Sequence, residues 1–301
     1  MIYEHMSSLI GNTPILHLEK VGGNDIYVKL EMFNPSGSVK DRVALMMIDD
    51  LLSSGKLSKG GKAVEGTSGN TGIGLAMVCA EKGIKLTIVM PENMSKERID
   101  LMRAYGAEVI LTPKEKGMVG AEELAKEMGE KGYVFLNQFE NKSNPKAHMK
   151  TTAKEIIRDF PEGLDYFVAG VGTAGTLIGN GMVLKEAYKN IKLIAVEPFE
   201  SEVLEGKKAG PHKIQGIGAN FVPPLYEKGI VDEIMPIKSD DAIKRAHDLA
   251  EDGIFLGISS GAAILAAENI ARSNEGKGLK ILALAPDGGI KYMSMGIYGE
   301  K

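Results

Sequence analysis

A lysine stands at the start of a helix-like run, in the stretch Asn-Pro-Ser-Gly-Ser-Val-Lys-Asp-Arg that ends at Arg42. Apolar residues recur after Lys40 at the spacing of one helix face, which places Lys40 on the side expected to be buried. Burial and the positive end of the helix dipole both favour the uncharged amine. Schiff-base chemistry requires an uncharged, nucleophilic lysine. The structural alternative is a lysine whose head group reaches solvent.

The same stretch contains residues that could cap this helix. We expect Ser38 to act as the cap, with Asp41 three residues later completing a capping box. Arg42 is followed at helical intervals by mostly polar residues, so we expect it on the solvent-facing side.

A glycine-rich turn, Glu65-Gly-Thr-Ser-Gly-Asn-Thr-Gly72, lies between a strand-like run and an apolar helix. Such a turn directs free backbone N–H groups at an anion, which suits a carboxylate or a phosphate. Side chains add further donors: Thr67, Ser68, Asn70 and Thr71. A tight strand-to-helix connection with hydroxyl caps is the structural alternative.

A second turn, Gly170-Val-Gly-Thr-Ala-Gly-Thr176, fits the dinucleotide pattern G-x-G-x-x-G. Glu197 lies near the end of the next predicted strand, where an acid that binds ribose would be sought. A nicotinamide-dependent oxidoreductase is therefore an open alternative. Thr173 and Thr176, however, bring hydroxyls suited to a terminal phosphate. Both interpretations of this turn predict a phosphate site.

A third turn, Gly257-Ile-Ser-Ser-Gly261, matches the G-x-S-x-G pattern of hydrolases. A hydrolase of that type places its histidine after the serine, whereas all histidines of this chain precede Ser259. That order excludes the hydrolase interpretation, and the scattered histidines show no spacing typical of a metal site. A reactive lysine, a phosphate turn, a second anion turn and a serine at a strand end together predict a pyridoxal phosphate site.

Composition sets outer limits on function. The chain has 301 residues, a formal net charge of −4 and scattered basic residues, which argues against nucleic acid as a partner. Its single cysteine, Cys79, excludes an intrachain disulfide and suits a reducing compartment. No apolar run approaches a membrane span and the N-terminus lacks the pattern of a secretion signal, so we expect a cytoplasmic protein without membrane contact.

Short apolar runs alternate with helix-length segments along the chain. This alternation predicts mostly parallel sheets covered by helices on both faces, in an α/β fold. The polar segment Glu140–Pro145 is the most linker-like place and predicts a domain boundary. We expect the chemistry in a cleft between the two α/β halves. The predicted strands are 26–30, 63–65, 86–90, 108–111, 166–169, 193–196 and 281–285.

With these residues in place, the chain resembles the cysteine synthases, which are O-acetylserine sulfhydrylases of the tryptophan-synthase-β-like pyridoxal phosphate enzymes. The likeness runs nearly end to end. It rests on the order and spacing of segments 10–14, 34–42, 67–72, 90–95, 138–139, 172–176, 215–219 and 257–263.

The resemblance implies two three-layer α/β/α domains with mostly parallel twisted sheets. We expect an N-terminal domain over residues 1–145 and a C-terminal domain over residues 146–301. The segment of about 91–131 resembles the family's mobile subdomain, which closes when the substrate carboxylate binds. We expect the early segment of about 11–33 to cross to the other domain.

The resemblance also implies roles for individual residues. Lys40 would carry pyridoxal 5′-phosphate and later move the substrate's α-proton. The ring hydroxyl would bind Asn70, and Ser259 would face the pyridine nitrogen. The phosphate would bind Gly172, Thr173, Ala174, Gly175 and Thr176, and the substrate carboxylate would bind Thr67, Ser68, Gly69, Thr71 and Gln138.

The implied reaction converts O-acetylserine and sulfide to cysteine and acetate. Ala174 and Asn220 stand where glycine is common in relatives, and 287–292 departs from the usual ending, which leaves the substrate open. Relatives that use O-phosphoserine place an arginine in the active-site loops. In this chain no arginine lies between Gln215 and Arg245, which favours O-acetylserine over O-phosphoserine as the substrate. Alternatives are an O-phosphoserine sulfhydrylase or a cystathionine β-synthase-like enzyme. The resemblance further implies a homodimer and a complex with serine acetyltransferase.

Overall fold

The computed structural model describes residues 2–298, which divide into two compact units. The first unit contains the residues up to Ile10 together with Asn34–Asn144, and the second contains Gly11–Phe33 together with the chain from Pro145 onward. In both units strands alternate with helices. The strands are β1 (Ile15–Val21), β2 (Asn24–Leu30), β3 (Lys62–Gly66), β4 (Lys85–Pro91), β5 (Glu108–Thr112), β6 (Val134–Phe135), β7 (Tyr166–Gly170), β8 (Lys192–Pro198), β9 (Glu233–Ile237) and β10 (Lys280–Ala285). The helices are α1 (Lys40–Ser53), α2 (Asn70–Lys82), α3 (Lys96–Ala104), α4 (Gly117–Glu130), α5 (Ser143–Lys150), α6 (Thr152–Asp159), α7 (Gly175–Ala187), α8 (Ser239–Glu251) and α9 (Ile258–Ser273).

The first unit is built on a four-stranded sheet in the order β5-β4-β3-β6, and all of its strand pairs are parallel. Parallel neighbours need a crossover connection, which α2 supplies between β3 and β4. Val64 and Val89 pack against Ala121 and Ala125 of α4 in one apolar cluster. Strands β3 and β4 therefore end at the same edge of the sheet.

The second unit is built on a six-stranded sheet in the order β1-β2-β10-β7-β8-β9. Strand β1 pairs antiparallel with β2, and the other pairs are parallel. Alternate strand residues such as Ile26, Val168 and Ile281 form one core with the apolar face of α9. Phe167 and Leu193 point to the other face and are also fully buried. The sheet thus has an apolar layer on each side, as parallel sheets require.

These strands confirm the predicted α/β class with parallel sheets covered by helices. Each strand expected from the sequence is present, and β1, β6 and β9 were missed. Strand β6 has only two residues, and β9 carries Pro236 at the edge of its sheet, where a missing N–H is tolerated. Among the described residues, no helix combines the length and apolar character needed to cross a bilayer.

A buried ion pair fixes the early strands of the second unit to α6. The Nζ atom of Lys29 lies 2.8 Å from Oε2 of Glu155, and Lys29 is fully buried. Lys29 Nζ also donates to the carbonyl oxygen of Thr13 at 2.7 Å. The N–H of Asn12 donates to Oε1 of Glu155 at 2.9 Å. These bonds satisfy both buried charges and hold the segment before β1 in place.

Replacing one partner of this pair should destabilise the protein strongly. Lys29→Met leaves the Glu155 carboxylate buried without its cation, and we expect a loss of about 3–5 kcal/mol in the free energy of unfolding. Urea denaturation followed by far-UV circular dichroism measures it. Lys244→Met is the control, because Lys244 pairs with Asp248 at the surface and such pairs contribute about 0.3–0.5 kcal/mol. Equal effects of the two substitutions would contradict the structural role of Lys29.

Candidate active site

Lys40 is the first residue of α1, as the sequence predicted, and its side chain is largely buried. Burial lowers the pKa of the Lys40 amine from 10.5 to about 8. Helix α2 passes close to this helix start, because a Cβ added at Gly74 would lie only 3.2 Å from the carbonyl oxygen of Lys40. At mildly alkaline pH a substantial fraction of this amine is uncharged, which is the state that nucleophilic chemistry requires.

The expected capping box at this helix start is wrong. The helix begins one residue later than the cap prediction assumed, with Val39 in the cap position and no side-chain cap bond. Ser38 Oγ instead accepts a hydrogen bond from the N–H of Lys40 at 3.2 Å. The carboxylate of Asp41 accepts bonds from the N–H of Ser36 at 2.6 Å and from the Ser36 hydroxyl. Asp41 therefore fixes the preceding loop rather than the helix end.

The solvent-facing position expected for Arg42 is also wrong. Arg42 is buried, and so are Asp41, Val43 and Ala44 around it. The first turn of α1 is therefore enclosed except at Lys40, which is partly exposed, and Asp49 and Asp50 further along the helix are also partly exposed. Helical periodicity predicts which residues share one face of a helix. It predicts solvent exposure of a polar face only where no other part of the chain packs against that face.

The predicted carboxylate turn lies where β3 ends and α2 begins. Gly69 occupies the cap position of α2, and Ser68, Gly69 and Asn70 are partly exposed there. The Thr67 N–H donates to the carbonyl oxygen of Val89 on β4 at 3.0 Å. The turn thus stands at the carboxyl end of parallel strands and at the positive end of a helix, where anions bind.

Two distant residues hold this turn, and one of them was not found from the sequence. Thr71 donates its hydroxyl hydrogen to Oε1 of Gln138 at 2.7 Å, which brings two predicted substrate-binding residues into contact. Arg98 on α3 donates from Nη1 to the carbonyl oxygen of Ser68 at 3.4 Å. Arg98 belongs to the segment of about 91–131 expected to move. No local sequence signal marks it, because its link to Ser68 spans thirty residues of chain.

The predicted phosphate loop connects β7 to α7 in the second unit. A Cβ at Gly172 would lie 2.6 Å from the carbonyl oxygen of Gly216, so only glycine fits there. The N–H of Gly175 donates to Oγ1 of Thr173 at 3.4 Å. Free N–H groups at the start of α7 and the Thr hydroxyls form a polar cradle at the end of a parallel strand. This arrangement suits a phosphate.

Ala174 has the left-handed conformation, with φ of +67°, at the cap position of α7. Glycine is common at this position in relatives, so the methyl group of Ala174 needs space that glycine does not. The methyl group is accommodated, since Ala174 is buried, but its backbone is strained relative to glycine. The loop therefore has the left-handed backbone conformation that glycine adopts most easily, although alanine occupies the position.

A buried histidine supports the phosphate loop, although the sequence indicated no special role for any histidine. His148 is fully buried, with Nε2 3.2 Å from the Thr176 hydroxyl and Nδ1 3.0 Å from the Thr152 hydroxyl. If Nε2 carries the hydrogen, the Thr176 hydroxyl is left to donate to an anion. Among the described residues, no group of histidine, cysteine, aspartate and glutamate could hold a metal ion.

Ser259 is the second residue of α9 and is buried. A Cβ at Gly216 would lie 3.8 Å from its Oγ, so the segment at Gly216 packs against both Ser259 and Gly172. The structure thus brings Ser259 and the phosphate loop around one loop of the second unit. Glu197, the candidate ribose acid, accepts a bond from the N–H of Leu204 at 2.9 Å and so anchors a neighbouring loop.

These residues fit pyridoxal phosphate. Lys40 supplies an amine of lowered pKa, and the loop at Gly172 supplies a cradle that a side chain at that position would fill. Ser259 supplies a buried hydroxyl rather than a carboxylate for a pyridine nitrogen. An α/β fold with a reactive lysine and a strand-end phosphate cradle defines the class of lysine-dependent cofactor enzymes.

Comparison with known proteins gives the family. The chain belongs to the pyridoxal-phosphate dependent enzymes, whose family model matches residues 6–287. It is 48% identical over 303 residues to a cysteine synthase of Staphylococcus aureus strain Mu50, covering 98% of this chain and 97% of the relative. A cysteine synthase structure from Entamoeba histolytica is 46% identical with a TM-score of 0.96, covering 100% of this chain and 92% of that chain.

A third relative has a different activity. The structure of an O-acetylserine-dependent cystathionine β-synthase from Helicobacter pylori is 39% identical with a TM-score of 0.93, covering 99% of each chain. The comparisons confirm the predicted cofactor and the resemblance to cysteine synthases. They remove the support for a dinucleotide-dependent oxidoreductase.

Relieving the strain at Ala174 should stabilise the protein. Ala174→Gly removes a left-handed alanine, and after the added freedom of the unfolded chain we expect a net gain of at most about 1 kcal/mol. Ala187→Gly is the matched control, because Ala187 is exposed at the end of α7 and should lose up to about 1 kcal/mol. Thermal and urea unfolding measure both. A destabilised Ala174→Gly protein would show that the methyl group packs more favourably than its backbone conformation costs.

The lowered pKa of Lys40 should make the stability of the cofactor-free protein depend on pH. Between pH 8 and 10.5 the folded protein binds fewer protons than the unfolded chain, so stability rises with pH in that window. Lys40→Met should raise the free energy of unfolding near pH 7 by up to about 3 kcal/mol, and the gain should fade toward pH 10.5.

Urea denaturation at several pH values measures this gain. Lys56→Met is the control, because Lys56 is exposed beyond the end of the same helix and its loss should change stability by less than about 0.5 kcal/mol. A gain for Lys40→Met that grows with pH would have the wrong sign for a desolvated amine.

Proposed function

We propose that the protein is a cysteine synthase, which replaces the acetoxy group of O-acetylserine with sulfide to give cysteine and acetate. Near full-length likeness to cysteine synthases is the observation that carries this proposal. The lowered pKa of the Lys40 amine supports this proposal. So does the close approach of α2, which begins at the anion-binding turn, to the start of α1.

Each part of the candidate site has a task in this reaction. When bound, pyridoxal phosphate withdraws electrons from the amino-acid substrate and makes its α-proton acidic. Lys40 would carry the cofactor and, once released as a free amine, accept that proton. The partly exposed N-terminus of α2, with Thr67, Ser68, Gly69 and Thr71 and with Gln138 behind it, would bind and orient the substrate carboxylate.

Separate residues would bind the ring hydroxyl, the phosphate and the pyridine nitrogen of the cofactor. Asn70 would bind the ring hydroxyl, and the loop from Gly172 through Ala174 to Thr176 would hold the phosphate. Ser259 would meet the pyridine nitrogen. A hydroxyl, unlike a carboxylate, does not keep a pyridine nitrogen protonated, so less charge is drawn into the ring. This property favours loss of the β-substituent over racemisation or transamination.

The donor is proposed to be the acetyl ester rather than the phosphate ester. Arg245, the first arginine after Gln215, is held by Glu268 at 2.6 Å and by Glu19 at 3.1 Å. Its guanidinium is thus already bound to two carboxylates and is poorly placed to bind a phosphoserine substrate.

A second candidate activity is cystathionine formation from O-acetylserine and homocysteine. It is favoured by one specific observation, the likeness to the Helicobacter pylori enzyme. The two activities differ only in the thiol that enters, so they share the Lys40 chemistry and are separated by the choice of nucleophile.

Further properties belong to the same proposal. The resemblance to cysteine synthases implies a cytoplasmic enzyme that forms a homodimer and binds serine acetyltransferase. It also supports a mobile segment of about 91–131, in which Arg98 joins α3 to the carboxylate turn through Ser68. Closure of that segment over a bound substrate would exclude water. The domains are proposed to be 1–145 and 146–301, with 11–33 crossing over.

Purified protein should be yellow and should form cysteine from O-acetylserine and sulfide. Lys40→Ala should lower that activity by about 10³-fold or more, because both the cofactor's attachment and the proton acceptor are lost. Borohydride reduction followed by peptide mapping should mark Lys40 in the wild type. Lys56→Ala is the control and should keep colour and activity.

Competing substrates test the finer assignment. Sulfide should discharge the O-acetylserine-treated enzyme faster than homocysteine does, and O-phosphoserine should be a poor donor. A colourless protein that binds NADH, or a mark on another lysine, would overturn the cofactor assignment. A preference for homocysteine would favour the second candidate.

A further inference from the structure

Glu65 is a buried carboxyl group directly behind the carboxylate turn. It is the next-to-last residue of β3, two residues before Thr67, and only 2% of its surface is exposed. The N–H of Gln138 donates to Oε1 of Glu65 at 3.3 Å. Its other oxygen, Oε2, is buried without a hydrogen-bond partner among residues 2–298. A charged carboxylate is not expected to be buried with one oxygen unsatisfied.

Within residues 2–298, the groups that act on Glu65 include no cation. On β4 its register partner is Ile88, and on the β6 side the chain presents Leu136 and then the backbone of Asn137 and Gln138. From α4 the facing charged group is Glu122, whose backbone lies against Gly66. The polar groups found to act on Glu65 among the described residues are the backbone N–H groups of Asn137 and Gln138, the side-chain amide of Gln138 and the carboxyl group of Glu122.

These surroundings favour the protonated acid. Burial, and then the negative charge of Glu122, raise the pKa of Glu65 from 4.5 to about 8, against the opposing effect of the N–H bonds. The pKa of Glu122 is itself raised by burial. At neutral pH Glu65 therefore adds little negative charge behind the turn.

Glu65 is also mechanically connected to the turn. It holds the backbone of Gln138, and the Gln138 side chain accepts the hydroxyl hydrogen of Thr71. Asn137, next to Gln138, has a left-handed backbone with φ of +51°, which needs support from its neighbours. A change at Glu65 is transmitted to Thr71 through one residue.

We propose that Glu65 is a positioning residue that, as a neutral carboxylic acid, holds Gln138 and keeps the Thr67–Thr71 turn receptive to the substrate carboxylate. Ionisation of Glu65 places a second negative charge behind the turn and weakens substrate binding. This inference rests on the proposed function, because it assumes that the turn binds an amino-acid carboxylate.

The experiment measures the dissociation constant of L-serine for the holoenzyme between about pH 6.5 and 9.5, from the absorbance change of the bound cofactor. Wild type is compared with Glu65→Gln, which keeps the acceptor for Gln138 and cannot ionise. Titrations of the ligand amine and of other groups common to both proteins cancel in the ratio of their dissociation constants.

We expect the wild-type to Glu65→Gln ratio to be near one below about pH 7 and to rise to about tenfold by about pH 9.5, an order of magnitude typical of repulsion between two like charges in a protein. Glu122→Gln is the second variant. It removes the neighbouring negative charge, so Glu65 should ionise at a lower pH than in the wild type. The weakening of L-serine binding should therefore begin at a lower pH. Because Glu122→Gln leaves Glu65 in place, it tests the proposal even if Glu65→Gln does not fold.

A purely structural role gives a different result. Glu65→Ala removes the acceptor for Gln138 and should weaken L-serine binding at every pH, whereas only ionisation produces a pH-dependent ratio. A flat ratio for Glu65→Gln, or an unchanged pH profile for Glu122→Gln, would overturn the proposal. If L-serine fails to perturb the wild-type cofactor at any pH, the proposed function itself fails, and that result is distinct from a flat ratio.

Discussion

The chemistry of this protein depends on keeping the Lys40 amine out of water at the start of a helix. Removing an ammonium from water is unfavourable, and the helix dipole at this end adds to the penalty, so the amine releases its proton more readily than a free lysine. The local structure makes this position rigid: Asp41 binds the preceding loop through Ser36, and α2 approaches closely because Gly74 has no side chain. A lysine on a loose or solvated turn would keep its ordinary charge.

The two anion sites are built by the same means in different sheets. Each lies where a parallel strand ends and the following helix begins, so that strand order and helix polarity point unsatisfied N–H groups at one place. Each also contains a glycine at a close approach, but only the contact at Gly172 is with backbone that cannot easily move. A Cβ at Gly72 would lie 2.7 Å from Cε of Met102, and one at Gly172 would lie 2.6 Å from the Gly216 oxygen. The side chains around these glycines determine which anion is bound.

Buried carboxyl groups stand one residue from the end of a strand near both sites. Glu65 occupies this position on β3 and Glu197 on β8, and burial raises the pKa of Glu65 to about 8 and that of Glu197 to about 6. Glu65 accepts a backbone N–H from Gln138 in the loop after β6, and Glu197 accepts one from Leu204 in the loop after β8. At neutral pH Glu65 is therefore mostly uncharged and can anchor a loop beside an anion site with little repulsion of the anion, whereas Glu197 is mostly ionised.

The sequence by itself determined the α/β alternation, the three glycine turns and the position of Lys40 at a helix start. These features follow from local spacing and backbone requirements, which neighbouring residues decide. The order of histidines and Ser259 likewise excluded a hydrolase without any structure. Tertiary structure decided which polar groups meet: Asp41 with Ser36 instead of a cap, Gln138 with Thr71, and His148 with Thr176. It also buried Arg42 and added the short edge strands. Packing sets the distances between the residues that make such contacts. Helical or strand periodicity carries no information about which residues the rest of the chain encloses.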